Sequence, residues 1–235
     1  MGVSIPVAAR HMLVGTVVIG VTVLVAACSS PEASPSDATP SSSANQTLPP
    51  PPVGDLDPGT YSLRLTSGVA TITVPAGWES LEPWAVATGA DETFMVVAFW
   101  PAGDFAVVDI YSDPCAWSTN VVEPRIGPTV DDLANALAAQ AMRGDAVPTD
   151  VTIDRYRGKY LEMSVPTDIS FADCDGGQFR SWEGRYHQGP GQIDELYILD
   201  VGGQREVLIV HHMPGTSAAE LAEQQAVFES IDILP

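Results

Sequence analysis

His187, within Tyr186-His187-Gln188-Gly189-Pro190-Gly191, is the side chain of this 235-residue chain best suited to chemistry. Imidazole exchanges protons near neutral pH, and a Gly-Pro-Gly turn can bring it to the surface. Glu183 and Asp173 are the carboxylates that could complete an acid/base set with it. The sequence supplies no nucleophile for such a set: it has no Gly-x-Ser-x-Gly elbow, no His-Glu-x-x-His, no phosphate-binding loop and no dinucleotide glycine pattern. A single histidine at a strand end more often serves structure than catalysis, so no catalytic residue and no cofactor are assigned. His211-His212 cannot simply chelate one metal, because neighbours on a strand point to opposite faces. Asp173-Cys174-Asp175-Gly176-Gly177 has the opening of a calcium loop but lacks its later oxygens and closing Glu, so a tight polar turn is expected there and no metal. Five tryptophans, at 78, 84, 100, 117 and 182, offer flat surfaces for a glycan or lipid. Most are expected in the core; Trp117 and Trp182, with His187, are the candidate ligand-binding residues.

A second kind of chemistry belongs to Cys28. Arg10 and His11 precede an uncharged run from Met12 to Ala27, and Val25-Ala26-Ala27-Cys28 closes it with small residues and a cysteine. The segment resembles the lipobox of bacterial lipoproteins, which implies that the Cys28 thiol takes a diacylglyceryl group and that the peptidase cuts before it. The alternatives are an ordinary secretory signal and an uncleaved membrane helix. The run is shorter than the roughly 20 residues that a spanning helix needs, and Gly15 and Gly20 interrupt it. Residues 1–27 are thus expected to be a signal peptide and 28–59 a linker, rich in Ser, Pro, Ala and Thr, that cannot bury enough surface to fold. The expected address is the extracytoplasmic face of the cell membrane, held by the lipid anchor.

With Cys28 committed to lipid, Cys115 and Cys174 remain, and an oxidising compartment favours their pairing. Neither lies in a Cys-x-x-Cys or beside a histidine at zinc spacing. Closing so long a loop contributes about 4 kcal/mol in the chain-entropy account. Charge narrows the partners further. Thirty acidic residues oppose ten Lys and Arg, a net charge of −20. Nucleic acid requires a basic footprint and is excluded as a partner on that ground. An envelope protein, a lipid or a glycan remain as partners.

The elements that must position these residues fall in 60–235, enough for one domain. Tyr61, Leu63 and Leu65, then Ala70, Ile72 and Val74, alternate about a Ser67-Gly68 turn and predict a hairpin. Phe94–Trp100 and Phe105–Tyr111 are apolar on both faces and predict interior strands. Thr129 three residues before Asp132 predicts a capped helix carrying Val130, Leu133, Leu137 and Ala141. Strands are expected over Val151–Tyr156, Lys159–Val165, Arg180–Tyr186, Ile193–Val201 and Glu206–His211, the last two joined by Gly202-Gly203. Ser217 and Glu220 start a closing helix with Leu221, Phe228 and Ile231 on one face. This order predicts an α+β domain, a mainly antiparallel sheet with two principal helices packed against it.

The hairpin ending in Thr73-Val74-Pro75-Ala76-Gly77-Trp78, the central sheet and the terminal helix leading into Ser230-Ile231-Asp232-Ile233 resemble the PsbP and Mog-type fold. Mycobacterial lipoproteins of the LpqN type are similar to it. Tyr111-Ser112-Asp113-Pro114-Cys115-Ala116-Trp117, Gly127–Leu133 and Tyr186–Gly191 also resemble segments of actinobacterial envelope lipoproteins, a likeness that implies no activity. The wider resemblance implies binding of partners or small ligands without catalytic residues. The expected function is a lipid-anchored binding or interaction module, with an envelope hydrolase or transferase using His187, or a lipid carrier, as alternatives.

Overall fold

The structure, a computed structural model, describes residues 48–100 and 108–234. Its strands are β1 (Gly54–Asp55), β2 (Gly59–Arg64), β3 (Val69–Val74), β4 (Glu79–Glu82), β5 (Ala85–Thr88) and β6 (Met95–Trp100); after helix α1 (Val130–Ala138) come β7 (Thr149–Ile153), β8 (Tyr156–Ser164), β9 (Arg180–Trp182), β10 (Arg185–Tyr186), β11 (Ile193–Val201) and β12 (Gln204–His212); α2 (Ala218–Glu229) and β13 (Asp232–Leu234) close the chain. The main sheet runs β1-β4-β5-β6-β12-β11-β8-β7, with every neighbouring pair antiparallel. A small sheet runs β13-β3-β2. The domain is α+β, a mainly antiparallel sheet with two helices.

At the centre lie β11 and β12, paired over their full length from Ile193↔His212 to Val201↔Gln204. Their turn is Gly202-Gly203, with φ of +63° and +85°, a backbone sign that matches the twist of a two-residue hairpin and that side chains resist. Both strands are buried on both faces. On one face Phe99, Leu199, Leu208 and Val210 meet Val227 and Phe228 of α2 and Leu63, Ile72 and Ile233 of the small sheet. Glu206, wholly buried, accepts from the backbone N–H groups of Thr66 and Ser67 and so pins the β2–β3 turn to the sheet. On the other face Leu161, Leu196, Ile198, Val207 and Ile209 pack against Leu133, Ala134 and Leu137 of α1.

Both helices start as their sequences dictate: Thr129 and Asp132, then Ser217 and Glu220, form reciprocal capping boxes. α1 ends at Ala138, so Ala141 lies beyond it; Ala141 N–H is instead taken by Ser112 O. The predicted strand Phe105–Tyr111 lies partly outside the described residues; within them Ile110 and Tyr111 make only isolated bridges, to Trp182 and Val121. Arg180–Tyr186, read as one strand, is a tight hairpin, because Gly184 at φ +82° reverses the chain between β9 and β10. The segment assigned to the linker joins the domain from Leu48 onward: Ser62 donates to Leu48 O and Pro49 O, and Pro51 and Leu56 are buried. A disulfide joins Cys115 to Cys174, tying the chain before α1 to the loop before β9.

Candidate functional site

His187 follows β10 directly, and the hairpin lays it over the sheet face that α1 covers. It is 4% exposed, not displayed by its Gly-Pro-Gly turn. Its carboxylate partner is neither Glu183 nor Asp173 but Asp194 of β11: His187 Nδ1 lies 3.1 Å from Asp194 Oδ2, and Ser181 Oγ lies 2.9 Å from His187 Nε2. A neutral imidazole has one donor and one acceptor nitrogen, and Nδ1 faces both the Asp194 carboxylate and the Gln192 Nε2 donor at 3.2 Å: either Nδ1–H donates to Asp194 and Nε2 accepts from Ser181, or Nδ1 accepts from Gln192 and Nε2–H donates to Ser181. The first of these is connected like an acyl-transfer triad. Its setting is not that of one, because Ser181 and Asp194 are each 1% exposed. Burial, reinforced by the Arg143 charge, pushes His187 down to about 3, which leaves it a poor proton acceptor.

Asp194 is the hub. Its Oδ1 accepts from Arg185 Nη2 at 2.8 Å and Gln192 Nε2 at 2.6 Å; its Oδ2 accepts from Arg143 Nη2 at 2.5 Å and faces His187 Nδ1. Three donors and the His187 ring thus surround the carboxylate. Burial alone would raise Asp194, but Arg185 and Arg143 outweigh it and hold the group well below the usual carboxylate range. Arg143 reaches the hub from the chain just past α1, where Met142 takes a left-handed φ of +62°, uncommon without glycine. Gln140 donates to Tyr111 O and Ser181 O, fixing the β9 side of the assembly.

Beside this network the same sheet face opens. Ala85 and Ala98, directly opposite one another on β5 and β6, with Val96 and Ile209, floor a pocket of about 400 Å³. Trp84, Phe94, Trp100 and Tyr186 also line it. The volume lies within the usual range of small-molecule sites. Arg185 and His211 line it as well, which brings the network to the pocket wall. Arg185 Nη2 lies 3.5 Å from His211 Nδ1, while Arg185 Nε and His211 Nε2 are buried without a partner. His211 also packs on Phe94, ring centroids 5.6 Å apart, and burial pushes its pKa down to about 3.

Trp182 is buried against Trp100 at 5.5 Å and so stands behind the pocket wall. Trp117 lies elsewhere. Arg180 stacks on its ring at 4.0 Å, and its Nε1 donates to Asp175 O and Gln178 O beside the disulfide. The Asp175 carboxylate is used by Ser118, through N and Oγ, in the tight polar turn that the sequence suggests. A second cleft, of about 500 Å³, is lined by Thr129, Arg157, Lys159 and Arg205, with Lys159 paired to Asp150 and Asp131. Among the described residues no group of three or more His, Cys, Asp or Glu could hold a metal, and no helix is long and apolar enough to cross a membrane.

Sequence reasoning missed Asp194, Arg143, Arg185 and the Trp84–Trp100 pocket, and passed over His211. One signal was present: Asp194 shares the inward face of β11 with Leu196 and Ile198, where a carboxylate requires partners.

No protein-family model matches the chain, and no curated protein matches it. A crystal structure from Bacteroides thetaiotaomicron is similar over 77% of this chain and 50% of its own length, with 10% sequence identity and a TM-score of 0.35. The chain thus spans half the length of that structure.

Proposed function

We propose that the chain is a lipid-anchored, extracytoplasmic module of the cell envelope that binds a small apolar or amphipathic ligand in the Trp84–Trp100 pocket. The address rests on the lipobox ending at Cys28 and on the Ser/Pro-rich segment after it. The ligand site rests on one observation: a cavity of about 400 Å³ walled by aromatic rings, with an alanine floor and with Arg185 and His211 in its lining. Native mass spectrometry of the protein extracted from its own envelope tests the site. A small-molecule adduct is expected on the wild type and lost from Ala98→Leu, whose larger side chain occupies the floor. Ligand-free protein in both samples overturns the binding reading. The anchor is tested separately by Cys28→Ala, which should leave the membrane fraction; retention there, with the chain still beginning at Met1, points to an uncleaved helix.

The hydrolase alternative has the Ser181–His187–Asp194 connectivity in its favour and the burial of all three against it. A fluorophosphonate probe, which reacts with accessible activated serines, is expected to leave Ser181 unlabelled. Labelling there transfers the function to acyl chemistry.

A further inference from the structure

We infer that the pocket takes an amphipathic anion, an alkyl or aryl carboxylate whose apolar body lies between Trp84 and Trp100 and whose head meets Arg185 and His211. This rests on the pocket being a ligand site and adds the ligand's charge and orientation.

The network beside the pocket is not neutral. Arg143 and Arg185 share one carboxylate, Asp194, which also accepts from Gln192 and lies against His187. His187 and His211, both with pKa values pushed down to about 3 by burial, are uncharged at neutral pH and leave that balance unchanged. The group formed by Arg143, Arg185 and Asp194 therefore carries one positive charge in excess. A buried charge without a counter-ion is costly, and an anion in the adjoining cavity supplies one.

The unpartnered atoms have matching polarity. Arg185, whose side chain is 8% exposed, keeps Nε–H without an acceptor. In His211, 3% exposed, Nδ1 faces the Arg185 donor Nη2, which makes it the acceptor and places the ring proton on Nε2, the atom without a partner. Both are donors lacking an acceptor. An ionised carboxylate is acceptor-only, whereas an ammonium group would meet donor with donor. Glu82 is the single acidic residue in the lining, and it is exposed. The cavity holds on the order of a dozen non-hydrogen atoms at roughly 30 Å³ each, the size of decanoate.

Decanoate and decanol, the same chain with and without the charge, provide the test when titrated into the full chain at pH 7 with tryptophan fluorescence as readout. Decanoate should bind about ten- to a hundred-fold more tightly, as charge-assisted hydrogen bonds imply. Arg185→Met leaves Asp194 paired with Arg143 and should bring decanoate down to the affinity of decanol. His211→Leu, which spares the Asp194 contacts, should cut the preference severalfold and serves as the second variant should the first fail to fold. Equal affinities in the wild type overturn the anionic ligand while leaving the apolar pocket standing. Binding of neither probe removes the pocket as a ligand site. A preference unchanged in the folded variants overturns the assignment of the head to these two residues.

Discussion

On one face of the main sheet, Phe99, Leu199, Leu208 and Val210 are buried against α2 and the small sheet, whereas on the other face the same strands are covered by α1 over only part of their width. Where α1 stops, the side chains change in kind. Ala85, Ala87 and Ala98 replace the branched residues of the closed face, and Asp194 and His211 stand among apolar neighbours. The closed face obtains its stability from burial, at about 1.5–3 kcal/mol for each large side chain. The partly open face instead holds together through a charged hub, which stabilises little by itself but is costly to break. The close-packed core and the open pocket thus lie on opposite sides of one sheet.

The sharpest way to break this contrast is Asp194→Ala. It strands two buried guanidinium groups at once, so a loss of about 3–5 kcal/mol is expected from denaturant midpoints. A loss below 1 kcal/mol would mean that water reaches the hub and that the two faces differ less than their packing indicates. Acid provides a milder probe of the same side. His187 and His211 stay neutral in the folded protein down to about 3, while in the unfolded chain they take protons near 6.5. Their contribution is present above pH 6.5 and is lost as the pH falls, because the unfolded state then binds protons that the folded state refuses. Between pH 7 and 5.5 the loss should be about 2–3 kcal/mol for the pair. Unfolding free energies across that interval check it, and a flat profile would show that the network admits protons without opening.

The parts of the molecule that sequence reveals and conceals divide along the same line. Alternation, two capping boxes and Gly202-Gly203 are local signals, and the elements they mark stand where expected, because hydrogen bonds between near neighbours decide them. The pairing of Cys115 with Cys174 followed from counting the thiols left once Cys28 is set aside. The site is non-local. His187 meets Asp194 only because a Glu183-Gly184 reversal folds β10 over β11, and Arg143 arrives from the far end of α1. Nothing in the spacing of 143, 185, 187 and 194 reports that convergence. The pocket was harder still to foresee, since it is made by what α1 leaves uncovered.

The smallest expected effect is the most discriminating. Leu208 and Ala98 lie on adjacent paired strands, the first within the closed core and the second on the pocket floor. Leu208→Ala removes packed volume and should cost about 2–5 kcal/mol. Ala98→Leu adds comparable bulk on the other side, where a filled core would be overpacked at about 1–3 kcal/mol. If the space above Ala98 is open in solution, the added side chain instead buries itself against Trp84 and Trp100, and the stability should change by less than about 1 kcal/mol in either direction. Thermal and denaturant unfolding of the two variants side by side decide it. A destabilisation of Ala98→Leu as large as an overpacked core demands would mean that the aromatic walls close on the floor when no ligand is bound, so that any ligand must first move them apart.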